Sequence, residues 1–371
     1  RVEVTGKVEV DIFHGENLSV TAAGRTALDT ENGTEGRFAE RDAGLLADLV
    51  EAEGEADRNG GLTDTSLCGG DGCDEDEVAL LDLLLIDEVL EKGPFDKNHS
   101  KVEAGCIIEK IDGVEITKDM DYFPLLNKKV GKQVLVSVYN PDTKKRWEEI
   151  VKPISKGTQN ELLYQRWIKH NAEVVDSLSN GTLGYVHIKS MGDASYRDVY
   201  ADILGKYNKR KGVVIDTRFN GGGRLHEDIE ILFSGEKYLE QVIRDSVACV
   251  MPSRRYVKPS IMLMCEANYS NAHGTPWVYK HKKMGKLVGM PVPGTMSSVT
   301  WETLQDESMY FGLPTVGYRT QDGYYLENSQ LEPDVKVRNT PEKLAKGIDE
   351  QLEAAVRELM KDVENYNYWG E

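Results

Sequence analysis

Ser270 stands at a sharp break between an apolar segment, residues 261–264, and a stretch with helical character. A serine at the start of a helix most often serves as an N-cap, where its oxygen accepts from free backbone N–H groups. The same position can expose the hydroxyl as a nucleophile, while the N–H of the next residue, Asn271, stabilises the oxyanion of a reacting carbonyl. The residue types alone do not decide between the two roles.

Three consecutive glycines, 221 to 223, follow a second apolar segment, "GVVIDTR" at 212–218. Because glycine has no side chain, such a run lets several backbone N–H groups point at one anion, as an oxyanion hole or a phosphate site requires. A flexible turn between a strand and a helix is an equally good interpretation. The chemistry of both segments therefore depends on the elements that position them.

Acidic residues are concentrated at the N-terminus of the 371-residue chain. Residues 1–77 contain 20 acidic and 6 basic side chains, which is −14 of the net charge of −18. This charge argues against nucleic acid and anionic membrane surfaces as partners, since both are bound by basic patches. The segment is also rich in Gly, Asn and Thr, so we predict an acidic loop region with one short helix near residues 37–56.

The composition, 40% hydrophobic and 29% charged, is that of a globular protein, and no run approaches the roughly 20 apolar residues of a membrane span. The N-terminus, "RVEVTGKVEV", lacks the apolar region of a signal peptide. The sequence therefore predicts a cytoplasmic location, or an extracytoplasmic one such as the periplasm if a leader has been removed.

Short β-like segments characterise residues 78–154. Asp112-Gly113 between two apolar segments predicts a tight hairpin, and the alternation of Val134, Val136 and Val138 before a Pro-Asp turn predicts another. We expect a compact β-rich domain over this range.

From residue 155 to 371, predicted strands alternate with predicted helices, which favours a mainly parallel sheet covered by helices. Ligands of such sheets bind at the loops that leave the carboxyl ends of the strands, where both the glycine triplet and Ser270 fall. The domain is expected to end in one continuous helix that begins at Pro341 after an N-cap, Thr340.

The order of these segments resembles a known family. The stretch "KVEAGCIIEKIDGVEI" is similar to a PDZ domain, and it precedes "LGYVHI", "GVVIDTRFNGGG", "SIMLMCEANYSNA" and "YYLENSQLEPDVKV" in the order of an S41-family serine peptidase core of the tricorn-like branch. The resemblance covers about residues 78–360. It implies an α/β, crotonase-like protease core at 155–371, a PDZ-like domain at 78–154 and a small acidic helical region at 1–77.

The resemblance also assigns roles to individual residues. It implies that Ser270 is the nucleophile, that the N–H groups of Gly222 and Asn271 form the oxyanion hole, and that Glu327 is a helper carboxylate. The family usually has aspartate directly after the serine, so Asn271 departs from its pattern. Because only the backbone N–H need donate, this departure is expected to have little effect.

The general base does not follow the family pattern. In the carboxyl-terminal processing branch a lysine deprotonates the serine, but Thr295 stands near that place. In the tricorn-like branch the base is the histidine of a Ser-His pair ahead of the PDZ domain, where this chain has Ala56 and Asp57. The alternatives are His226 and His273, although each residue of this kind is more often a partly exposed helix residue than a base.

The leading prediction is a serine endopeptidase that hydrolyses peptides or unfolded chains with no metal or organic cofactor. The resemblance implies a homo-oligomer, and larger relatives carry β-propellers upstream. The absent histidine favours an alternative, a catalytically impaired module that captures peptides by strand addition. A weaker alternative is a crotonase-like acyl-CoA enzyme, against which the PDZ-like domain and "YSNA" argue.

Overall fold

The computed structural model of the protein describes residues 84–117, 120–235 and 237–367. The acidic segment 1–77, with its predicted helix and Asp57, lies outside these residues. None of the helices in the described part combines the length and apolar character needed to cross a bilayer.

Two compact units make up the described residues. The β-rich unit ends at Trp167 and the α/β unit begins at Ile168. This division falls inside a continuous helix, Lys156–Leu178, whereas the sequence places the domain boundary at residue 154.

The β-rich unit is built on an antiparallel sheet with the strand order β1-β2-β4-β5 and with β3 paired to β2. The Asp112-Gly113 hairpin is confirmed, since both residues have positive φ, 48° and 80°, and Ile111 pairs with Val114. The predicted second hairpin is β4 with β5. The elements are β1 (Leu84–Leu85), β2 (Ile107–Ile111), β3 (Val114–Glu115), α1 (Phe123–Leu126), β4 (Val134–Asn140) and β5 (Lys145–Val151).

The α/β unit contains a five-stranded, fully parallel sheet in the order β14-β11-β10-β7-β6, as the alternation of strands and helices predicts. Its carboxyl edge therefore brings together the ends of β7 and β10. The strands of the unit are β6 (Leu183–His187), β7 (Gly212–Asp216), β8 (Leu239–Ile243), β9 (Ser246–Met251), β10 (Ser260–Met264), β11 (Gly285–Gly289), β12 (Ser298–Thr303), β13 (Tyr310–Val316) and β14 (Val335–Lys336).

Helices cover both faces of this sheet, because successive side chains of the apolar strands point to opposite sides. Val213 and Ile215 pack in a core with α3, α4 and α5, while Val214 packs in a second core with α2 and α7. The helices are α2 (Lys156–Leu178), α3 (Asp193–Ala201), α4 (His226–Ser234), α5 (Asn271–His281), α6 (Pro341–Leu344) and α7 (Glu350–Asn365).

The C-terminal helix is not continuous, and that prediction is wrong. A short helix, α6, follows Thr340 and ends ahead of Gly347, whose φ of 70° lies in the left-handed region that stops a helix. A second helix, α7, begins after its N-cap Asp349, whose side chain accepts a hydrogen bond from the Leu352 N–H at 3.0 Å. Local capping chemistry overrides an apolar stripe that runs through both helices.

Two antiparallel hairpins, β8 with β9 and β12 with β13, lie outside the parallel sheet. The predicted turn at Asp322-Gly323 is present as well, with a bridge between Arg319 and Tyr325. This turn returns the chain from β13 to the carboxyl edge of the sheet.

Candidate active site

Ser270 joins β10 to α5 in a backbone conformation with φ 53° and ψ −122°. Such a conformation is costly for a residue that carries a Cβ, so the surrounding contacts must hold it. Ser270 occupies the N-cap position of α5, but its side chain makes no capping hydrogen bond. The hydroxyl is therefore available at a half-buried position, as a nucleophile requires.

The buried Asn268 holds the turn that leads to Ser270. Its Oδ1 accepts from the Cys265 N–H at 3.2 Å. Its Nδ2 donates to Thr217 Oγ1 at 3.0 Å and to the Ala272 carbonyl at 3.2 Å. One side chain thus ties the loop after β10 both to the end of β7 and to the first turn of α5.

Cys265 does not compete with Ser270 as a nucleophile. Burial raises the pKa of this thiol to about 12. Because the reactive form of cysteine is the thiolate, Cys265 is inert near neutral pH.

Gly222 lies against the turn at Ser270 so closely that no larger residue fits. A Cβ on Gly222 would stand 2.7 Å from Ser270 Cβ and 2.9 Å from the Tyr269 carbonyl oxygen, and its φ of 108° also favours glycine. The Tyr269 N–H donates to the Asn220 carbonyl at 3.0 Å. The glycine triplet and Ser270, 48 positions apart in numbering, therefore form one site.

The two predicted oxyanion donors differ in their availability. The Asn271 N–H belongs to the first residue of α5, where no intrahelical acceptor exists. The Gly222 N–H donates to Asn220 Oδ1 at 2.9 Å. The Asn271 N–H is therefore open to a substrate oxygen. At Gly222, the substrate oxygen would have to share the N–H with Asn220 Oδ1 or displace that oxygen.

Glu327 is positioned at the site by two loops that are hydrogen-bonded to each other. Val292 and Leu331 form a bridge, and the Asn328 N–H donates to the Gly294 carbonyl at 2.8 Å. Glu327 Oε2 accepts from the Ser297 N–H at 2.6 Å. The pairing of loops 292–297 and 326–331 thus brings the carboxylate into the loop that faces Ser270.

Thr295 connects this loop to Ser270 directly. The Ser270 N–H donates to Thr295 Oγ1 at 3.4 Å. Thr295 stands near the place of the lysine that acts as base in the carboxyl-terminal processing branch. The position is therefore next to the serine, but it carries a hydroxyl, which is not a base at neutral pH.

The profile of Peptidase family S41 matches residues 182–337, which include Gly222, Ser270 and Glu327. The chain carries a domain of peptidase family S41. The S41 part of the resemblance is thereby confirmed, and the site described above lies wholly within the S41 domain.

Relatives of this chain are much longer proteins. A tricorn protease from Thermoplasma volcanium is 25% identical over 74% of this chain and 26% of its own length. A tricorn protease homolog from Saccharolobus solfataricus is 24% identical over 74% of this chain and 25% of its own length. The chain therefore spans about a quarter of the length of these relatives.

A solved structure shares the fold. The crystal structure of the tricorn protease matches with a TM-score of 0.62 and 22% identity, over 71% of this chain and 26% of that chain. The observed architecture is therefore the mixed α/β fold of S41 proteases.

His273 lies in the S41 domain as a fully buried imidazole, and neither ring nitrogen has a hydrogen-bond partner among the described residues. Burial lowers the pKa of His273, and the charge of Glu327 opposes this only in part. The ring is therefore neutral at pH 7, close enough to Glu327 to sense its charge, and not bonded to the Ser270 hydroxyl.

His226, the other alternative, begins α4 and contacts the residue next to the serine. Its Nδ1 lies 2.7 Å from Asn271 Nδ2. It likewise makes no hydrogen bond to Ser270. Within the described residues, no imidazole of the S41 domain is paired with the Ser270 hydroxyl, and Asp57 lies outside them.

A buried ion pair that sequence reasoning missed anchors the loop of the glycine triplet. Arg218 Nη2 lies 2.7 Å from Asp216 Oδ2, and Nη1 lies 2.8 Å from Asp349 Oδ2 at the start of α7. The Tyr185 hydroxyl donates to Asp216 Oδ2 at 3.0 Å. The sequence signal was present, since an aspartate and an arginine two positions apart at the end of a fully apolar strand need partners when buried.

We predict that Arg218→Met lowers the free energy of unfolding by about 3–5 kcal/mol, because it leaves the Asp216 carboxylate buried without its partner. Urea unfolding followed by circular dichroism measures the change. Arg210→Met is the matched control, because the Arg210 pair with Asp176 is partly exposed and should contribute about 1 kcal/mol or less. Equal losses of unfolding free energy in the two variants would contradict the prediction that the buried pair stabilises the fold more than the partly exposed one.

The stabilisation by the Asp216–Arg218 pair should depend on pH in a defined direction. Burial alone would raise the pKa of Asp216, but the Arg218 charge outweighs it and holds the pKa below its usual range. The unfolded chain therefore binds more protons in acid, so the stabilisation is lost as pH falls through that lowered pKa. In Arg218→Met the guanidinium charge that outweighs burial is gone, so the pKa of Asp216 rises and the difference in stability between the two proteins should narrow as pH falls.

Proposed function

We propose that this chain is a serine endopeptidase that hydrolyses peptides or unfolded protein chains. The observation that carries the proposal is the Ser270 hydroxyl, which is free of capping bonds and stands between the glycine triplet and the open Asn271 N–H within an S41 domain. Support for peptides as the substrate class comes from the names of the tricorn relatives.

In the proposed mechanism, Ser270 Oγ attacks the carbonyl carbon of the scissile bond while its proton passes to a base. The negative charge that develops on the carbonyl oxygen is stabilised by the Asn271 N–H, with the Gly222 N–H as the second donor. When the tetrahedral intermediate collapses, the C–N bond breaks and the base gives its proton to the departing amine. The acyl-serine that remains is then hydrolysed by water. No step of this chemistry calls for a metal or an organic cofactor.

Glu327 acts in this scheme as a positioning residue. One of its oxygens is held by the Ser297 N–H at 2.6 Å, which fixes the carboxylate. The other is free to accept a hydrogen bond from the base and to stabilise the charge that the base acquires. The resemblance implies that the base is the histidine of the family's Ser-His pair, a position at which this chain has Asp57.

The α/β unit is proposed to be crotonase-like, and the β-rich unit PDZ-like. A parallel sheet with helices on both faces supports the first assignment, and an antiparallel sheet with two tight hairpins supports the second. Assembly into a homo-oligomer stays a prediction from the resemblance.

A fluorophosphonate probe tests the function. We expect covalent labelling of Ser270, located by mass spectrometry of the digested protein, and loss of the label after preincubation with a peptide substrate. Absence of the label would favour the peptide-binding alternative, and binding of coenzyme A by calorimetry would favour the acyl-CoA alternative.

The peptide-binding alternative rests on a specific observation, namely that no imidazole of the described residues pairs with Ser270. Under either function we predict that the β-rich unit, prepared as residues 78–167, folds and binds extended peptides with a Kd of about 0.1 mM, because the open edge of β5 can accept an added strand. NMR titration measures this binding. The same peptide with a methylated backbone is the control, and equal binding of both peptides would contradict strand addition.

A further inference from the structure

The Asn271 side chain makes a set of hydrogen bonds that fixes its orientation. Its Oδ1 accepts from two backbone N–H groups, those of Leu225 at 2.9 Å and His226 at 3.1 Å. Only the oxygen of an amide can accept, so the amide cannot be reversed. Its Nδ2 must then be the atom that lies 2.7 Å from His226 Nδ1.

This geometry determines which nitrogen of the His226 ring carries the proton. An amide NH₂ is only a donor, and a proton on Nδ1 would set two donors against each other at 2.7 Å. Nδ1 is therefore the acceptor, and the proton of the neutral ring is on Nε2. The ring thus presents an N–H donor to its surroundings instead of a basic lone pair.

The position of His226 places this donor beside the Ser270 site. The ring is held by Asn271, the residue that directly follows Ser270, and its other side meets Tyr318 edge-on with the ring centroids 6.3 Å apart. The residue is half-buried, and within the described residues the hydrogen bond of its ring is the one at Nδ1, so Nε2 makes none there. A donor that is held by contacts to Asn271 and Tyr318 but has no acceptor among the described residues is suited to a ligand.

We propose that His226 is a substrate-binding residue, which donates from Nε2–H to a carbonyl or carboxylate oxygen of the bound peptide, and that Asn271 sets the tautomer this requires. The peptide ligand in this inference rests on the function proposed above. The tautomer does not, because it follows from the protein's own hydrogen bonds. Asn271 is thus a positioning residue through its side chain, in addition to any role of its backbone N–H.

The same argument explains why His226 is not the general base. A base must offer a lone pair toward the serine, and a histidine held in the opposite tautomer cannot do so even when its position is right. Asn271→Asp is nearly isosteric and keeps acceptor oxygens for both backbone N–H groups. A carboxylate, however, accepts from Nδ1–H, so this variant should transfer the ring proton to Nδ1.

NMR of histidine labelled with ¹⁵N tests the tautomer without any substrate. At pH 9, two-bond ¹H–¹⁵N correlations should show His226 with its proton on Nε2 in the unaltered chain and on Nδ1 in Asn271→Asp. His226→Gln assigns the signal by removing it. An Nδ1-protonated ring in the unaltered chain would overturn the inference, whatever the function of the protein.

Peptide binding tests the donor role, in a Ser270→Ala background that prevents turnover. We expect His226→Phe to weaken the binding of a fluorescent peptide about tenfold, which corresponds to about 1.4 kcal/mol. His226→Gln retains an N–H donor and should bind within about threefold of the parent. Asn271→Asp should also weaken binding, because Nε2 then turns a lone pair toward the substrate oxygen.

His281→Phe is the matched control, since His281 lies exposed at the far end of α5 and should leave affinity unchanged. Peptides with a free or an amidated C-terminus distinguish the two oxygen sources, because only a carboxylate contact is lost on amidation. Equal affinity of His226→Phe and the parent would overturn the donor role. If the parent bound no peptide, the proposed function and the donor role would both fail, while the NMR result would still decide the tautomer.

Discussion

Ser270→Ala is expected to abolish peptide hydrolysis while leaving the thermal unfolding temperature nearly unchanged. Where a base is in place, as in the double variant Ala56→Ser with Asp57→His, the substitution should lower kcat by roughly 10⁴–10⁶-fold. Removing the nucleophile eliminates the covalent route, and the oxyanion donors alone supply only residual catalysis. Stability should hold because the hydroxyl makes no capping bond and alanine keeps the Cβ beside Gly222. Turnover of a fluorogenic peptide and differential scanning calorimetry measure the two quantities.

A second serine provides the matched control for this prediction. Ser260 lies in the same β-strand leading to the site, but its hydroxyl is buried and lies 2.7 Å from the Tyr279 hydroxyl. Ser260→Ala should therefore lose about 1 kcal/mol of stability and keep its kcat, the reverse of the Ser270 pattern. Hydrolysis that persists in purified Ser270→Ala would show that another residue is the nucleophile.

The main elements of both units were predictable because their signals are local. Alternating valines and a tight Asp112-Gly113 turn specify hairpins from neighbouring residues alone, and apolar strands separated by helices specify a covered parallel sheet. Once the sheet is parallel, the ends of β7 and β10 must lie at one edge. The proximity of Gly222 and Ser270 therefore follows from topology.

The features that sequence reasoning missed depend on contacts between distant residues. Nothing near Asn271 in the sequence indicates that its side chain meets His226, which lies 45 positions away in the chain. The helix break at Gly347 was a local signal, but a longer apolar stripe outweighed it in the interpretation. Hydrogen bonds across loops are set by the completed fold, and a periodicity argument does not reach them.

Contacts between distant residues also explain why neither histidine alternative acts as the base. His273 was considered because three residues along a helix share a face, yet burial leaves its ring without any hydrogen-bond partner in the described residues. His226 was considered because it follows the glycine triplet, yet Asn271 holds it in the donor tautomer. The resemblance aligns Asp57 with the family histidine, and that assignment stays a prediction.

If Asp57 takes the place of the family histidine, the unaltered chain should show almost no turnover near neutral pH, and the double variant Ala56→Ser with Asp57→His should raise kcat at least about a hundredfold. An aspartate with an ordinary pKa near 3.9 is too weak a base to deprotonate a serine, whereas an imidazole that titrates near neutrality suits the task. In that variant Glu327 would have the cationic partner that its free oxygen can stabilise. Steady-state turnover of a fluorogenic peptide from pH 5 to 9 is the measurement, and the gain should follow deprotonation of a single group.

Two controls separate restored catalysis from a general effect of charge. Asp29→His makes the same substitution elsewhere in the acidic segment and should change nothing, while Ser270→Ala added to the double variant should remove the whole gain. Robust turnover in the unaltered chain would contradict the prediction and direct attention to His273 and His226. If the double variant gains nothing, residues 50–60 do not approach Ser270, and the peptide-binding function becomes the better account, because a serine that is held ready but has no base can take part in binding and not in turnover.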